Sequence, residues 1–164
     1  MRRLSRTIDL DCSADTFWKM FFEEDFIRRM HKEGLGFREI EILERSETRR
    51  RLRAVPSLDV PETVAKLLGD RFGYEERGTF DPARGEWKWS MIPNAMGDKL
   101  RTEGHILVES AGDGKARRRD EVTIDCKVFG VGGLIEGSAE KQLRVSWDKE
   151  EAFLKSWIAR MKNG

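Results

Sequence analysis

The 164-residue sequence is poor in several of the residues on which chemistry or extracellular stability rests: it has 2 cysteines, 2 histidines, 4 prolines and 1 tyrosine. Cys12 and Cys126 are distant and belong to no Cys-x-x-Cys pair, which removes a disulfide framework and favours buried reduced thiols over a disulfide or a reactive site. His31 and His105 lie in no His-Glu-x-x-His, beside no cysteine pair and near no Gly-x-Ser-x-Gly elbow, so metal chemistry and serine hydrolysis lose their usual parts. An excess of one charge is also missing. Lys+Arg (31) and Asp+Glu (30) cancel to +1, and non-specific nucleic-acid binding needs an extended field of one sign. No apolar run approaches the eighteen or so residues of a membrane span, and Met1-Arg2-Arg3-Leu4-Ser5-Arg6 lacks the apolar centre of a secretory leader. A soluble, cytoplasmic protein without metal or cofactor is expected.

What is present is a salt-laced globular composition. Apolar residues make up 38% and charged residues 37%, the latter above the usual quarter or so. The length suits one domain spanning 1–164, large enough to bury roughly 70% of its unfolded surface.

Periodicity gives the element order. Leu4, Ile8, Leu10 and Cys12 alternate with polar residues as in a half-buried strand, with Arg6 breaking the inner face. Ser13 reads as an N-cap before Phe17, Trp18, Phe21 and Phe22 at helical spacing. A second short helix spans about Glu24 to Lys32 and ends at Gly34-Leu35-Gly36. Strands follow at 37–44 and 49–55, then a short helix over Pro61 to Leu68. A hairpin carries Phe72, Tyr74 and Phe80, then Trp87, Trp89 and Met91, around Asp81-Pro82-Ala83-Arg84-Gly85. Strands at 100–109 and 122–129 complete an antiparallel sheet of about six or seven strands. From Gly132 to Met161 the chain reads as one helix of about eight turns.

Three local stretches sharpen this order: Cys12-Ser13-Ala14-Asp15-Thr16-Phe17-Trp18 entering the first helix, Val55-Pro56-Ser57-Leu58-Asp59-Val60-Pro61 in mid-chain, and Gly132-Gly133-Leu134-Ile135-Glu136 opening the last helix. With them the chain resembles the START-like, or Bet v 1-like (SRPBCC), helix-grip superfamily. The last two stretches are similar to a branch described as a domain of unknown function, and distantly to sterol-binding VASt domains. The resemblance covers nearly the whole chain, and its motifs are structural. It implies an α+β helix-grip fold in which a curved antiparallel sheet wraps the long C-terminal helix and leaves a cavity for a hydrophobic, lipid-like molecule.

The candidate lining follows from the inner-face positions: Phe72, Tyr74, Trp87, Trp89 and Met91 on the hairpin, Cys126 on the last strand, and Leu134, Ile135 and Ser138 on the terminal helix. The same residues would serve equally as packed core. Two inner-face tryptophans also need partners for their indole N–H groups, which places one of them near a polar or wet spot. Arg6, Glu76 and Asp120 fall on parities otherwise apolar, where a charge must be paired or solvated. Arg6 with Glu76 is the pairing expected, to orient a ligand head group or to bridge strands, unless a bulge shifts the parity. A cyclase- or dehydratase-type enzyme on this fold would draw its acid and base from Glu76 and Tyr74. A co-chaperone-activator-like interaction module with a packed interior is the third alternative.

The remaining features have plainer readings. His31 at a helix end suits the dipole as a protonated imidazole, and His105 reads as solvated. The arginine runs 49–53 and 117–119 read as edge protection and cross-strand ion pairs, with transient contact to an anionic membrane surface as the alternative. Gly130-Val131-Gly132-Gly133 fails both phosphate-loop and dinucleotide spacing. Gly137 within the helix marks a close contact or room for a bound molecule. The Pro61–Leu68 helix and the loop 94–98 are candidate lids.

Overall fold

A computed structural model describes residues 1–163. The order is β1 (Arg2–Leu10), α1 (Ala14–Phe21), α2 (Glu24–Arg29) running into a π-helical turn (Met30–Gly34), β2 (Glu39–Arg45), β3 (Arg49–Val55), α3 (Glu62–Leu68), β4 (Tyr74–Asp81), β5 (Glu86–Pro93), β6 (Leu100–Ser110), β7 (Ala116–Cys126) and α4 (Gly132–Asn163). All neighbouring strands are antiparallel, in the order β1-β7-β6-β5-β4-β3-β2. The two edges are consecutive in sequence, so α1 and α2 must carry the chain from one rim of the sheet to the other.

The local chemistry accounts for the turning points. Ser13 caps α1, its hydroxyl accepting from Thr16 N–H at 3.1 Å, a bond whose loss costs about 1 kcal/mol. The β4–β5 turn places Asp81 Oδ1 3.0 Å from Ala83 N–H and ends at Gly85 with φ 63°, a left-handed conformation that glycine adopts without strain. The opening of α4 is tied to the sheet by Glu136, whose carboxylate accepts the Cys126 N–H at 2.8 Å.

Each strand turns alternate residues to the concave face, and α4 lies across that face with Ile135, Trp147, Leu154 and Ile158 buried. The main core joins Ile8 and Leu10 of β1, Phe17, Trp18 and Phe21 of α1, Trp87, Ile106 and Val108 of the sheet, and Leu154 and Ile158 of α4. A smaller cluster of Val64, Leu100, Cys126 and Ile135 ties α3 to the other end of α4. A third cluster of Leu4, Val122, Ile124 and Trp147 packs under the middle of α4, and a cavity bordered by Ile124 and Trp147 remains beside it.

Several boundaries differ from those read by periodicity. β1 stops at Leu10, and β7 begins at Ala116, paired with Ser110 and Leu10, and ends at Cys126. The arginines 117–119 therefore sit within a central strand, where the Arg/Asp-rich alternation hid the pattern. A bulge between Ile42 and Glu44 shifts the β2 register. Both cysteines are buried and free.

Candidate functional site

Two glycines shape the hollow. On the concave face, Arg50, Gly78, Trp89, Gly104, Val122 and Leu4 form one cross-strand row. A methyl group at Gly78 would lie 2.0 Å from the Trp87 ring, and one at Gly104 would lie 2.9 Å from the Trp89 ring. Both indoles thus lie flat over backbone that carries no side chain, the close approach that isolated strand glycines permit.

The resulting cavity has a volume of about 270 Å³, close to the lower end of the range for small-molecule sites. The sheet contributes Tyr74, Glu76, Trp87, Trp89, Met91, Leu100, Thr102, Ile106 and Ile124; α4 contributes Ile135, Ser138, Ala139, Gln142, Leu143 and Trp147. The π-helical turn and the loop after it add Met30, His31, Leu35 and Phe37, while Pro56, Leu58, Val60, Val64, Leu68 and Phe72 close the mouth. Leu58 and Val145 line the cavity yet remain partly exposed, which places the opening between the 56–60 segment and α4. One hydrogen bond spans that opening, from Gln142 Nε2 to the Asp59 carbonyl at 2.6 Å.

Of the residues proposed from sequence, Phe72, Tyr74, Glu76, Trp87, Trp89, Met91, Ile135 and Ser138 come together around this space. Three do not. Leu134 points to solvent because the first turn of α4 presents Ile135 inward. Cys126 is buried beside Leu100 and Ile135, outside the lining. Arg6 does not meet Glu76, since β7, β6 and β5 lie between their strands. Its partners are Asp120 at 2.9 Å, Glu150, and the Trp147 carbonyl at 2.8 Å. The indole nitrogen buried without a partner is that of Trp18, not that of either inner-face tryptophan.

The polar end of the cavity contains residues that sequence reasoning had assigned to the surface. Arg50 is buried, its guanidinium 4.0 Å above the Phe21 ring, donating to the Phe21 carbonyl at 3.0 Å and to Glu76 at 2.9 Å. Arg118 donates to both Asp120 oxygens at 2.9 and 3.0 Å and to Glu150 at 3.2 Å. Burial alone would raise the Glu150 carboxyl, but the Arg118 and Arg6 guanidinium groups together hold it below its ordinary range. The signal for Arg50 and Arg118 was parity: each shares the inward register of its strand, with Leu52 and Ala54 or with Asp120 and Val122. Nothing local marks Glu150.

His31 likewise lies inside rather than at a solvated helix end. It is 5% exposed, its Nδ1 is 2.7 Å from the Ile27 carbonyl, and it lines the cavity. Burial lowers its pKa, with the Ile27 carbonyl and then Glu76 opposing, so the ring is neutral rather than the protonated group expected. The Ile27 carbonyl fixes the proton on Nδ1 and leaves Nε2 as an acceptor. Burial, reinforced by Glu76, raises the Tyr74 phenol, which stays a protonated donor.

Elsewhere the surface has fewer features. Among the described residues no group of three His, Cys, Asp or Glu side chains is placed to hold a metal ion, and no helix is long and apolar enough to cross a membrane. A broader depression on the convex face of the sheet is open and lined by polar and charged side chains, with His105 Nε2 3.4 Å from a Glu121 carboxylate oxygen. A methyl group at Gly137 would lie 3.3 Å from the Arg2 guanidinium, so that glycine marks a contact.

A seven-stranded antiparallel sheet curved around a long C-terminal helix, with a cavity beneath the helix, is the helix-grip fold shared by START-like and Bet v 1-like proteins. Similar folds occur in a norcoclaurine synthase point mutant from Thalictrum flavum in complex with a transition-state analogue (TM-score 0.70, 15% identity, 98% of this chain and 96% of that chain). The Zhui aromatase/cyclase from Streptomyces sp. R1128 gives TM-score 0.64 and 15% identity over 98% and 93% of the two chains. A START superfamily protein from Mycobacterium smegmatis gives 0.61 and 14% over 97% and 98%. At these identities the likeness is one of fold. No curated protein matches the sequence. Residues 5–158 match the family described as "Protein of unknown function (DUF2505)", and the chain belongs to that family.

Proposed function

We propose that the protein binds a small, mainly apolar molecule in the cavity between sheet and α4 and carries it without chemical change. The observation that supports this best is the unfilled space of about 270 Å³ in a core otherwise closed by packed aromatic side chains. Removing apolar ligand surface from water contributes about 25 cal/mol per Å², enough for useful affinity once a few hundred Å² are covered. The volume favours a compact ring system or a single short chain over a two-chain lipid. Entry runs past Leu58 and Val145, with the Gln142–Asp59 bond as the closure. Native mass spectrometry of freshly purified protein tests the reading: a released small-molecule mass is expected, and a chain that neither retains one nor binds added amphiphiles overturns it.

One observation favours a second reading. Neutral His31, protonated Tyr74 and Glu76 line one cavity, an acid-base set of the kind a cyclase or dehydratase uses. An aromatase/cyclase and a synthase share the fold. Turnover lost in Tyr74→Phe and in Glu76→Gln would favour this reading over carriage. A purely protein-binding module with a packed interior has the least support, because it leaves the cavity without a purpose.

A further inference from the structure

Resting on the cavity reading above, we propose that the cavity admits its ligand only as an electrically neutral unit, so that a weak carboxylic acid enters with one proton, held by His31 Nε2. The argument starts from the charges already present. Arg50 is matched by Glu76, while Arg118 and Arg6 are matched by Asp120 and Glu150 through shared bonds. Three guanidinium groups thus face three carboxylates, and the interior field is balanced. Lys149, the other cation on the lining, is exposed on α4, where water screens it. An anion added to a balanced, desolvated interior has no compensating charge, and an unpaired buried charge is strongly unfavourable.

His31 is the group able to supply that charge. Its Nδ1 is committed to Ile27, and Nε2 has no protein partner among the described residues. Glu76 acts on it from β4, Arg50 from β3 and Glu150 from α4, the Phe37 ring packs against it, and Tyr74 lines the same cavity. In the empty protein burial keeps the ring neutral. A carboxylate arriving in the same cavity adds a negative neighbour and stabilises the imidazolium. The balance is simple: one proton leaves the buffer and binds His31 Nε2, the ligand stays a carboxylate, and no covalent bond of the ligand changes. The imidazolium–carboxylate pair is neutral as a unit. An alcohol of the same length needs no proton at all.

The experiment titrates the full chain with octanoate and with 1-octanol by calorimetry, at one pH, in phosphate and in Tris, whose ionisation enthalpies differ. The expected result is uptake of about one proton for octanoate and none for octanol. Octanoate affinity should then fall with rising pH, by up to about tenfold per unit, while octanol affinity stays flat. In His31→Gln the uptake disappears. In Glu76→Gln the balance shifts by one positive charge, and octanoate binds tighter and without a proton. The proton count is the readout, so a variant with weakened affinity still reports, and near-UV circular dichroism verifies its fold; if His31→Gln fails to fold, Glu76→Gln carries the test. Octanol binding accompanied by proton-free octanoate binding in the wild type overturns this inference and leaves the carrier reading standing, as does uptake that survives in His31→Gln. Failure of both probes to bind overturns the two together.

Discussion

Single residues decide whether this interior is hollow or solid. Gly104 shows how narrow the margin is: a methyl group there would lie 2.5 Å from the Glu121 carbonyl oxygen as well as 2.9 Å from the Trp89 ring. The oxygen belongs to the backbone of a paired strand and cannot yield, so Gly104→Ala should destabilise by about 1–3 kcal/mol, lowering Tm by roughly 2–4 °C for each kcal/mol. Gly133, in the first turn of α4 with nothing within 4 Å of a methyl group, is the control: Gly133→Ala should be neutral or stabilising by up to about 1 kcal/mol. Paired thermal and urea melts of the two variants check the contrast, and equal losses would mean that close approach is not why Gly104 is glycine. The buried arginines act at the same scale. Arg118 is held by two carboxylates, and removing one member of such a cluster leaves a charge without a partner, which is costlier than never having buried it.

At the scale of elements, the strands and the long helix were legible because their apolar spacing repeats. Leu4, Ile8 and Leu10, or Val122, Ile124 and Cys126, state which face is inward, and Arg6 and Asp120 stood out by violating that parity. Arg50 and Arg118 were hidden by their neighbours: within an arginine run, one inward residue looks like the outward ones unless the register is followed residue by residue. Glu150 and His31 gave no signal, because their burial comes from α4 and the π-helical turn meeting over the sheet, a tertiary event. The cavity was expected from the family resemblance alone and not from spacing, since an inner-face tryptophan has the same spacing whether it touches a neighbour or empty space. The mouth illustrates what the elements add. The segment between β3 and α3 reaches α4 by the Gln142–Asp59 bond, and a hydrogen bond of this kind is worth about 1 kcal/mol net. Gln142→Ala should therefore speed ligand release about fivefold with little change in the Tm of the empty protein. Stopped-flow tryptophan fluorescence with a bound amphiphile measures this, and an unchanged release rate would place the entry route elsewhere.

For the molecule as a whole, hollowness and stability oppose each other. Unfilled volume forfeits contacts that a solid core would have, so the empty protein should be less stable than its loaded form by an amount set by ligand affinity and concentration. At a free ligand concentration one hundred times Kd the gain is about 2.7 kcal/mol, or roughly 5–11 °C in Tm for a domain of this size. The same reasoning gives a variant that separates carriage from folding. Ser138 lies on α4 and lines the cavity, so Ser138→Trp directs an indole into space already empty rather than into a packed neighbour. This substitution should leave the Tm of the empty protein unchanged or higher while abolishing the ligand-induced shift, because side-chain volume now occupies the binding space. Differential scanning calorimetry with and without octanol reads both quantities. A Ser138→Trp protein that keeps the full ligand-induced shift would locate binding outside the cavity, and one that unfolds would mean the space beneath α4 closes in solution; either result removes the physical basis for carriage.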